Sequence, residues 1–295
     1  NEIPATLQIV PGVLGTNTIT GLTPGAKYRI RVFKNNIGSL FALQIHSPDL
    51  LKVEQWGVNQ WGFCNAFFYN CTNMDITATD IPNFSNVENM MWMFKGCSKL
   101  VGNASMKNWD VSKVKNMSAM FGEATLFNQN ISNWNVGNVE NMEGMFYAAT
   151  SFNQPIGGWN TEKVKNMSSV FAEATSFNQP LNNWKTQNVT NMQSMFLRAT
   201  SFDQPLNNWN TAKVTNMSTM FGGATAFNQD ISSWQTSQVV TMSQMFAGAR
   251  SFNQDISNWT VSNVTDMGSM FQGTTLFNKP LNTWNTQNVT SMASM

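Results

Sequence analysis

The 25 residues 109–133, WDVSKVKNMSAMFGEATLFNQNISN, decide the fold, because their pattern recurs without insertion along most of the chain. A fixed period of 20–50 residues is the signature of a solenoid, a propeller or an array of stacked units. A period of 25 is too short for a four-stranded propeller blade, but it suits one coil of a solenoid. The tryptophans that mark successive units are Trp109, Trp134, Trp159, Trp184, Trp209, Trp234, Trp259 and Trp284.

One unit predicts a short strand and a short helix or 3-10 turn. Apolar and β-branched residues alternate within 109–114, as in an extended segment. Apolar residues recur three or four apart within 114–124, which is a helical spacing. Asn128–Gln129 then predicts a turn. The side chains expected to point inward are those of Trp109, Val111, Val114, Met117, Met120, Phe121, Ala124, Phe127 and Ile131 and their equivalents.

Methionine and asparagine also recur in columns. Methionines such as Met117 and Met120 share the apolar stripe, and the only histidine, His46, lies outside the array, so we predict core packing rather than a metal site. A polar residue precedes each Met117 equivalent, in the column that begins at Asn116. We predict that this column is an internal amide ladder, whose Asn-X-Ser/Thr sequons follow from the repeat and are no evidence of glycosylation.

The chain divides into three predicted regions. Residues 107–295 are the regular repeats, which we expect to be part of a longer array, and residues 49–106 are degenerate copies that cap them. Cys71 and Cys97 occupy matching places in successive copies, so they are either a bridged pair or two small buried residues. Residues 1–48 form a small β-domain, in which 18–32 alternates as a strand after a Pro-Gly turn. This segment is similar to the tyrosine corner of a fibronectin type III sandwich, although it is too short for a whole one.

Composition excludes several classes of protein. The net charge is +1 and only 11% of residues are charged, against about 25% in a typical domain. Neither nucleic acid nor an anionic membrane is therefore an expected partner, and no apolar run is long enough for direct membrane insertion. One histidine and scattered carboxylates predict no enzyme, no cofactor and no catalytic residue. Asp230 and Asp255 stand one unit apart, either as a calcium site or, preferably, as turn residues.

The repeat resembles a known family. The pattern W-[ND]-[VT]-x-x-V-x-N-M-x-x-M-F-x-x-A-x-x-F-N-Q-[PD]-[LI] is similar to the DUF285 repeat of BspA-like leucine-rich-repeat surface proteins, as are 53–57, Trp61 and 78–82. The resemblance covers about residues 50–295. It implies a right-handed, leucine-rich-repeat-like solenoid outside a cell, often in adhesion, and related repeats occur in proteins of protists and large viruses. It implies no catalytic residues.

Two functions follow as alternatives. A surface-exposed adhesion protein would bind a protein or glycan on a host or neighbouring surface, through positions that vary between units. An architectural spacer of a surface appendage or virion would instead contact other subunits of that assembly. A contiguous patch of aromatic or charged residues on adjacent units would favour binding. The candidate contact residues are Lys113, Tyr147, Lys163, Leu197, Arg198 and Lys213.

Overall fold

Parallel pairing between segments of successive repeats organises the chain. The computed structural model describes residues 5–9, 28–32, 41–42 and 44–295. The paired strands are all short and all parallel: β1 with β2, β3 with β5, and β4 with β6. Their bounds are β1 Ala5–Ile9, β2 Tyr28–Val32, β3 Phe41–Ala42, β4 Lys52–Val53, β5 Trp61–Phe63 and β6 Asp75–Ile76, and a 3-10 helix spans Ala104–Asn108.

Beyond β6 the pairing contracts to one residue in each repeat. Asn89 bridges to Asn116, Asn116 to Asn141, and the same column continues to Ser291. Parallel strands lie about 4.8 Å apart, so a bridge at every repeat stacks the units in register. The sequence predicted a strand at 109–114, just before the bridging residue Asn116. That segment is instead a turn, in which the Val114 amide donates to the Val111 carbonyl at 3.0 Å.

The sequence predicted a short helix or a 3-10 turn at 114–124. No helix forms there, and a run of turns closed by bonds between residues three apart takes its place. The amides of Met117, Ala119 and Phe121 donate to carbonyls of the next repeat at 2.9, 2.7 and 2.9 Å. The amides of Met120 and Gly122 donate to the carbonyl three residues earlier in the same repeat, both at 3.1 Å. An α-helix would direct its amides to its own carbonyls four residues back. Here alternate amides bond between repeats, so the apolar spacing serves turns instead of a helix.

Two residues of each turn segment have left-handed backbone conformations. In the first regular repeat, φ is 45° at Ala119 and 61° at Glu123. Both occupy the third position of a four-residue turn closed by a hydrogen bond, as a type II turn requires. Glycine takes the Glu123 position at Gly96, Gly223, Gly248 and Gly273, whereas the remaining repeats place residues with a Cβ there. The non-glycine repeats therefore carry backbone strain.

Replacing Ala148 by glycine is expected to stabilise the protein by about 0.5–1 kcal/mol. The φ of 52° at Ala148 costs an L-residue about 1–2 kcal/mol, and glycine removes this cost. Glycine also has greater freedom in the unfolded chain, which offsets about 0.5–1 kcal/mol of the gain. The matched control is Ala149→Gly, at a buried neighbour outside the left-handed region, which should be destabilising by about 1 kcal/mol. Urea unfolding compares the two, and equal losses of stability would contradict the strain argument.

The core consists of columns of identical side chains. All nine positions predicted to point inward are buried in the first regular repeat, and the methionine columns lie in the core as predicted. Phe121 stacks on Phe146 of the next repeat at 5.8 Å and on Phe127 of its own repeat at 4.0 Å between ring centroids. Offset stacking of this kind adds about 0.5–1.5 kcal/mol to the burial of each pair. One repeat cannot enclose these rings alone, so stacking supplies its stability.

Polar groups at the edge of the core join each repeat to its neighbours. The Trp184 indole N–H donates to the Ile156 carbonyl of the preceding repeat at 3.0 Å, and equivalent bonds recur from Trp134 to Trp284. Threonine replaces Val111 in later repeats because its hydroxyl finds a partner: Thr161 Oγ1 donates to the Lys185 carbonyl at 3.0 Å. Burying a polar atom costs free energy unless a hydrogen bond replaces the lost water, and these indole and hydroxyl groups each have such a bond.

The polar ladder between repeats lies in a different column from the predicted one. Asn116 and its equivalents are half-buried rather than internal, and the Asn116 Oδ1 accepts bonds from Ser118 of its own repeat. The ladder instead follows the second phenylalanine. Asn153 Oδ1 accepts from the Asn178 amide and from Gln179 Nε2, both at 3.0 Å. This arrangement explains the recurrent Phe-Asn-Gln sequence. Equivalent contacts join Asn128, Asn178, Asp203 and Asn228 to the next repeat.

Stacking contacts begin before residue 49. Phe41–Ala42 pairs with Trp61–Phe63, and the Ile45 amide donates to the Phe67 carbonyl at 2.8 Å. Most of the predicted β-domain at 1–48, including the Pro-Gly turn, lies outside the described residues, so its type stays a prediction. Within the described ranges, no helix is long and apolar enough to span a membrane.

Candidate interaction surface

The turn segments expose one face on which side chains vary from repeat to repeat. This turn face comprises the positions equivalent to Ala119, Gly122 and Glu123, which lie between the buried methionines and the buried alanine of each unit. The core columns behind it are nearly invariant. Variation here therefore changes the surface without changing the packing. Its largest side chains are Tyr69, Trp92, Lys95, Glu123, Tyr147, Glu173, Leu197 and Arg198.

Aromatic rings occupy the first part of the turn face. The exposed His46 ring meets Tyr69 edge-on at 5.7 Å, and Tyr69 lies 5.8 Å from Trp92 of the following repeat. Trp92 is 41% exposed, and Lys95 Nζ lies 5.6 Å from its ring centroid. A cation above a tryptophan ring contributes about 0.5–1 kcal/mol at an exposed site. The rings are thus held in place while their outer surfaces stay accessible.

Charges of both signs flank Tyr147 in the middle of the turn face. Glu123 precedes it by one repeat and Glu173 follows it by one repeat. The Glu173 carboxylate, followed by burial and by Glu123, raises the pKa of the Tyr147 hydroxyl above its usual range, while Arg198 acts in the opposite direction. Arg198 Nη1 lies 3.2 Å from Glu173, and Lys95 Nζ lies 3.9 Å from Glu123. In chain order the charges read positive, negative, negative, positive around one tyrosine.

The turn face becomes smooth after Arg198. At the Gly122 and Glu123 positions the next two repeats carry Gly222, Gly223, Ala247 and Gly248, with Gln272 and Gly273 after them. A methyl group added at Gly222 would lie 3.1 Å from Leu197 Cδ1, so glycine there makes room for the preceding leucine. No such neighbour crowds Gly248, where the φ of 71° favours glycine instead.

The candidate contact residues divide between two faces. Tyr147, Leu197 and Arg198 lie together on the turn face, whereas Lys113, Lys163 and Lys213 lie exposed in a separate column. Lys163 Nζ donates to Asn138 Oδ1 at 2.7 Å, and Lys213 Nζ makes the equivalent bond to Asn188 at 2.8 Å. These two lysines are therefore already engaged with the array. Their role in partner contact stays a prediction.

Sequence reasoning missed half of the turn face. His46, Tyr69, Trp92, Lys95 and the two glutamates were not among the candidates. Trp92, Lys95 and Tyr69 belong to degenerate repeats, which we interpreted only as a cap. Aligning those copies on Phe68, Phe94 and Phe121 would have placed them in the same columns as Tyr147 and Arg198.

Another charged column is paired within the array. Lys115 Nζ lies 2.8 Å from Glu88, and Lys165 Nζ lies 2.7 Å from Glu140. Exposed ion pairs of this kind contribute little to stability, because solvent screens them. They neutralise this column rather than leaving a strongly charged surface.

Asp230 and Asp255 serve as turn residues. Asp230 Oδ1 accepts from the Ser232 amide at 2.9 Å, and Asp255 Oδ1 accepts from Ser257 at 3.0 Å. These bonds lower the pKa of both carboxyl groups below the usual range. In the part of the chain that the structure describes, no three His, Cys, Asp or Glu side chains group as metal ligands would. The turn interpretation therefore has direct geometric support.

The lowered pKa values of Asp230 and Asp255 predict a small loss of stability in acid. A depressed pKa stabilises the fold above the ordinary value of the group, and this contribution disappears as the pH falls through the depressed value. Asn130 makes the same turn bond in an earlier repeat, so Asp230→Asn with Asp255→Asn should preserve the turns. The double variant should lose less stability than the parent as the pH falls below about 4. Thermal melts across that range measure the difference, and identical slopes would contradict it.

The three cysteines are free and buried. Of the two alternatives for Cys71 and Cys97, the structure therefore supports small buried residues. Cys97 Sγ donates to the Phe68 carbonyl at 3.0 Å, and Cys71 Sγ to the Ile45 carbonyl at 2.9 Å. Burial raises the pKa of the Cys64 thiol to about 12 and raises those of Cys71 and Cys97 as well. Thiols in this state are poor nucleophiles.

Comparisons with known proteins bear on the repeat itself. No curated protein matches the chain. A family described as "Mycoplasma protein of unknown function, DUF285" matches residues 62–175, 139–226 and 205–295. Together these three overlapping matches cover the degenerate and the regular repeats alike. The chain is a repeat protein that belongs to the DUF285 family.

Proposed function

We propose that this chain is a non-enzymatic interaction protein, exposed on a cell or particle surface, that binds a protein or glycan through its turn face. The observation that carries the proposal is the contrast between an invariant core and a variable outer face. Tyr69, Trp92, Tyr147 and Arg198 are of the residue types that anchor interfaces, and they lie on nearby repeats. Such a contiguous patch is what a binding array requires and a spacer does not.

The proposal includes a finer architecture and a location. The stacked units support a right-handed, leucine-rich-repeat-like solenoid of the BspA-like type, which presents an extended surface of regular spacing. An extracellular, cell-surface or virion-surface location fits a chain whose polarity comes from amides and hydroxyls rather than from charge. A non-enzymatic role fits the turn carboxylates and the buried thiols, because their hydrogen bonds serve the fold.

The second candidate is an architectural spacer in a surface appendage or virion. The smooth part of the turn face, from Gly222 to Gly273, favours it, as do the ion pairs that Lys115 and Lys165 make within the array. A spacer needs length and stiffness, and it gains nothing from exposed aromatic rings. The aromatic and charged part of the turn face therefore favours binding over a spacer.

Two experiments test the proposal. Protease treatment of intact cells or particles of the native source, followed by mass spectrometry, should release peptides of this chain while internal markers survive. Beads coated with the purified chain should bind host cells or a glycan array. Trp92→Ala with Tyr147→Ala should abolish that binding. The matched control is Leu126→Ala with Leu276→Ala, which alters side chains that are 44% and 60% exposed on other faces. Protection from protease, or equal binding by both variants, would overturn the proposal.

A further inference from the structure

The order of side chains along the turn face is self-complementary, which identifies a partner for the proposed interaction surface. Counting repeats by their first phenylalanine, from Phe68 as repeat 1 to Phe271 as repeat 9, places Tyr147 in repeat 4 and Glu173 in repeat 5. Two identical arrays that meet antiparallel, face to face, share a two-fold axis. The position of that axis decides which repeat faces which, so each register can be judged by charge and size.

An axis through Tyr147 is excluded by charge. It would place Glu123 of repeat 3 opposite Glu173 of repeat 5 in the second copy, and Lys95 opposite Arg198. Every charged contact would then join like charges. Juxtaposition of like charges at an interface suppresses association.

An axis between repeats 4 and 5 satisfies the charges. Glu123 of repeat 3 then faces Arg198 of repeat 6 in the second copy, twice over because of the symmetry. The carboxylate of Glu173 faces the Tyr147 hydroxyl, which can donate a hydrogen bond to it. Within one chain the Glu123 carboxylate makes a long contact with Lys95, at 3.9 Å from Oε1 to Nζ, and the Glu123 side chain is 46% exposed. The carboxylate can therefore contact a second cation.

The same register also matches large side chains with small ones. Trp92 and Lys95 of repeat 2 face Gly222 and Gly223 of repeat 7, and Tyr69 of repeat 1 faces Ala247 and Gly248 of repeat 8. The largest other side chains of the turn face there are the polar Thr219 and Gln244. Gly222 is buried and Gly223 is half-buried. Both lie against Leu197 and Arg198 of the preceding repeat, so the Trp92 ring can lie against those two side chains. The Tyr69 ring can lie against Ala247 and Gly248, which are half-buried. Gly248, which no neighbour crowds, acquires a role in this arrangement.

Three other axes give poorer contacts. An axis through repeat 5 sets Glu173 of one copy against Glu173 of the other. An axis between repeats 5 and 6 sets Glu173 against Arg198, a pair already made within one chain at 3.2 Å. It leaves Glu123 and Tyr147 opposite only alanine and glycine positions.

The third, an axis between repeats 3 and 4, covers less surface. It pairs Lys95 with Glu173 and Tyr69 with Arg198, but it sets large side chains against large ones. It also leaves repeats 7–9 uncovered. The register centred between repeats 4 and 5 joins eight repeats, and the register between repeats 3 and 4 joins only six.

We propose that two copies of this chain associate antiparallel through their turn faces, with Glu123 of each copy against Arg198 of the other. The proposal rests on the proposed interaction function and names the partner of the same surface. Eight repeats at about 4.8 Å each give a contact strip about 38 Å long. A strip one turn segment wide buries less than the roughly 800 Å² per partner of a standard interface. The expected dissociation constant is therefore on the order of micromolar.

Sedimentation velocity of the full chain tests the association. Between about 1 and about 100 μM the parent should shift reversibly from the 32.9 kDa monomer toward twice that mass. Glu123→Arg alone and Arg198→Glu alone should each weaken the dimer at least about tenfold, because each creates two like-charge contacts. Both sites are surface positions, and circular dichroism should show unchanged folding.

Mixing the two single variants supplies the decisive comparison. A copy carrying Glu123→Arg and a copy carrying Arg198→Glu form two opposite-charge contacts with each other, so the mixture should dimerise although neither variant does alone. The control pair is Lys95→Glu mixed with Glu173→Lys, which should show no such rescue. Rescue of that pair would indicate the register between repeats 3 and 4 and would overturn the register centred between repeats 4 and 5. A parent that stays monomeric at all concentrations also overturns the proposal. If Trp92→Ala with Tyr147→Ala still loses binding to host cells or glycans in that case, only the self-association fails and the interaction function stands.

Discussion

Phe196→Ala is expected to lower the free energy of unfolding by about 3–5 kcal/mol, the range for truncating a buried phenylalanine. Phe196 is fully buried and stacks on Phe171 and Phe221 of the adjacent repeats at 5.6 and 5.5 Å between centroids. It also lies 4.0 Å from Phe202 within its own repeat. The truncation therefore weakens the packing against both adjacent repeats as well as the packing within the repeat of Phe196. Denaturant unfolding followed by tryptophan fluorescence measures the loss.

The shape of the unfolding curve is part of this prediction. Stability in a stacked array is approximately a sum of repeat and nearest-neighbour terms, so a break in the middle uncouples the two halves. Phe196→Ala should broaden the transition or divide it into two. The matched aromatic control is Trp92→Ala on the turn face, which should change stability by about 0.5 kcal/mol or less beyond the lost contacts with Lys95 and Tyr69. A sharp, parent-like transition for Phe196→Ala would contradict coupling through the phenylalanine columns.

Asn153→Ala is expected to destabilise the protein by about 1–3 kcal/mol, because it leaves two donors of the next repeat without an acceptor. Those donors are the Asn178 amide and Gln179 Nε2, each 3.0 Å from Asn153 Oδ1. The amide belongs to the backbone and cannot turn to another partner. Urea unfolding of the full chain gives the change in free energy.

Asn153→Asp is the control, because only the acceptor oxygen takes part in these two contacts. Asp203 occupies the equivalent position two repeats later and accepts from the Asn228 amide at 2.9 Å. Asn128 and Asn178, the neighbours of Asn153 in the column, carry no charge that would repel a carboxylate. Asn153→Asp should therefore remain close to the parent at neutral pH. An equal loss in both variants would show that the side-chain amide, not its oxygen, is what the ladder needs.

The period and the inward positions could be predicted from the sequence alone. Large apolar residues that return every 25 positions have to be covered by a neighbouring repeat, since one repeat is too small to bury them. The burial of the Trp109, Met117 and Phe121 columns followed from that requirement. The family followed from the same residues, because the conserved spacing of the core is also the family pattern.

Only the tertiary structure decided how the backbone satisfies its hydrogen bonds. Apolar spacing in 114–124 suits a helix and a run of turns equally, and the choice depends on carbonyls contributed by the next repeat. The same is true of the polar ladder. Asn116 and Asn128 both begin recurrent polar columns, but only in the Asn128 column does the side-chain oxygen meet an amide of the neighbouring repeat. Spacing along the chain thus determined which side chains are buried. The contacts between repeats determined the local backbone and brought Trp92, Tyr147 and Arg198 onto one face.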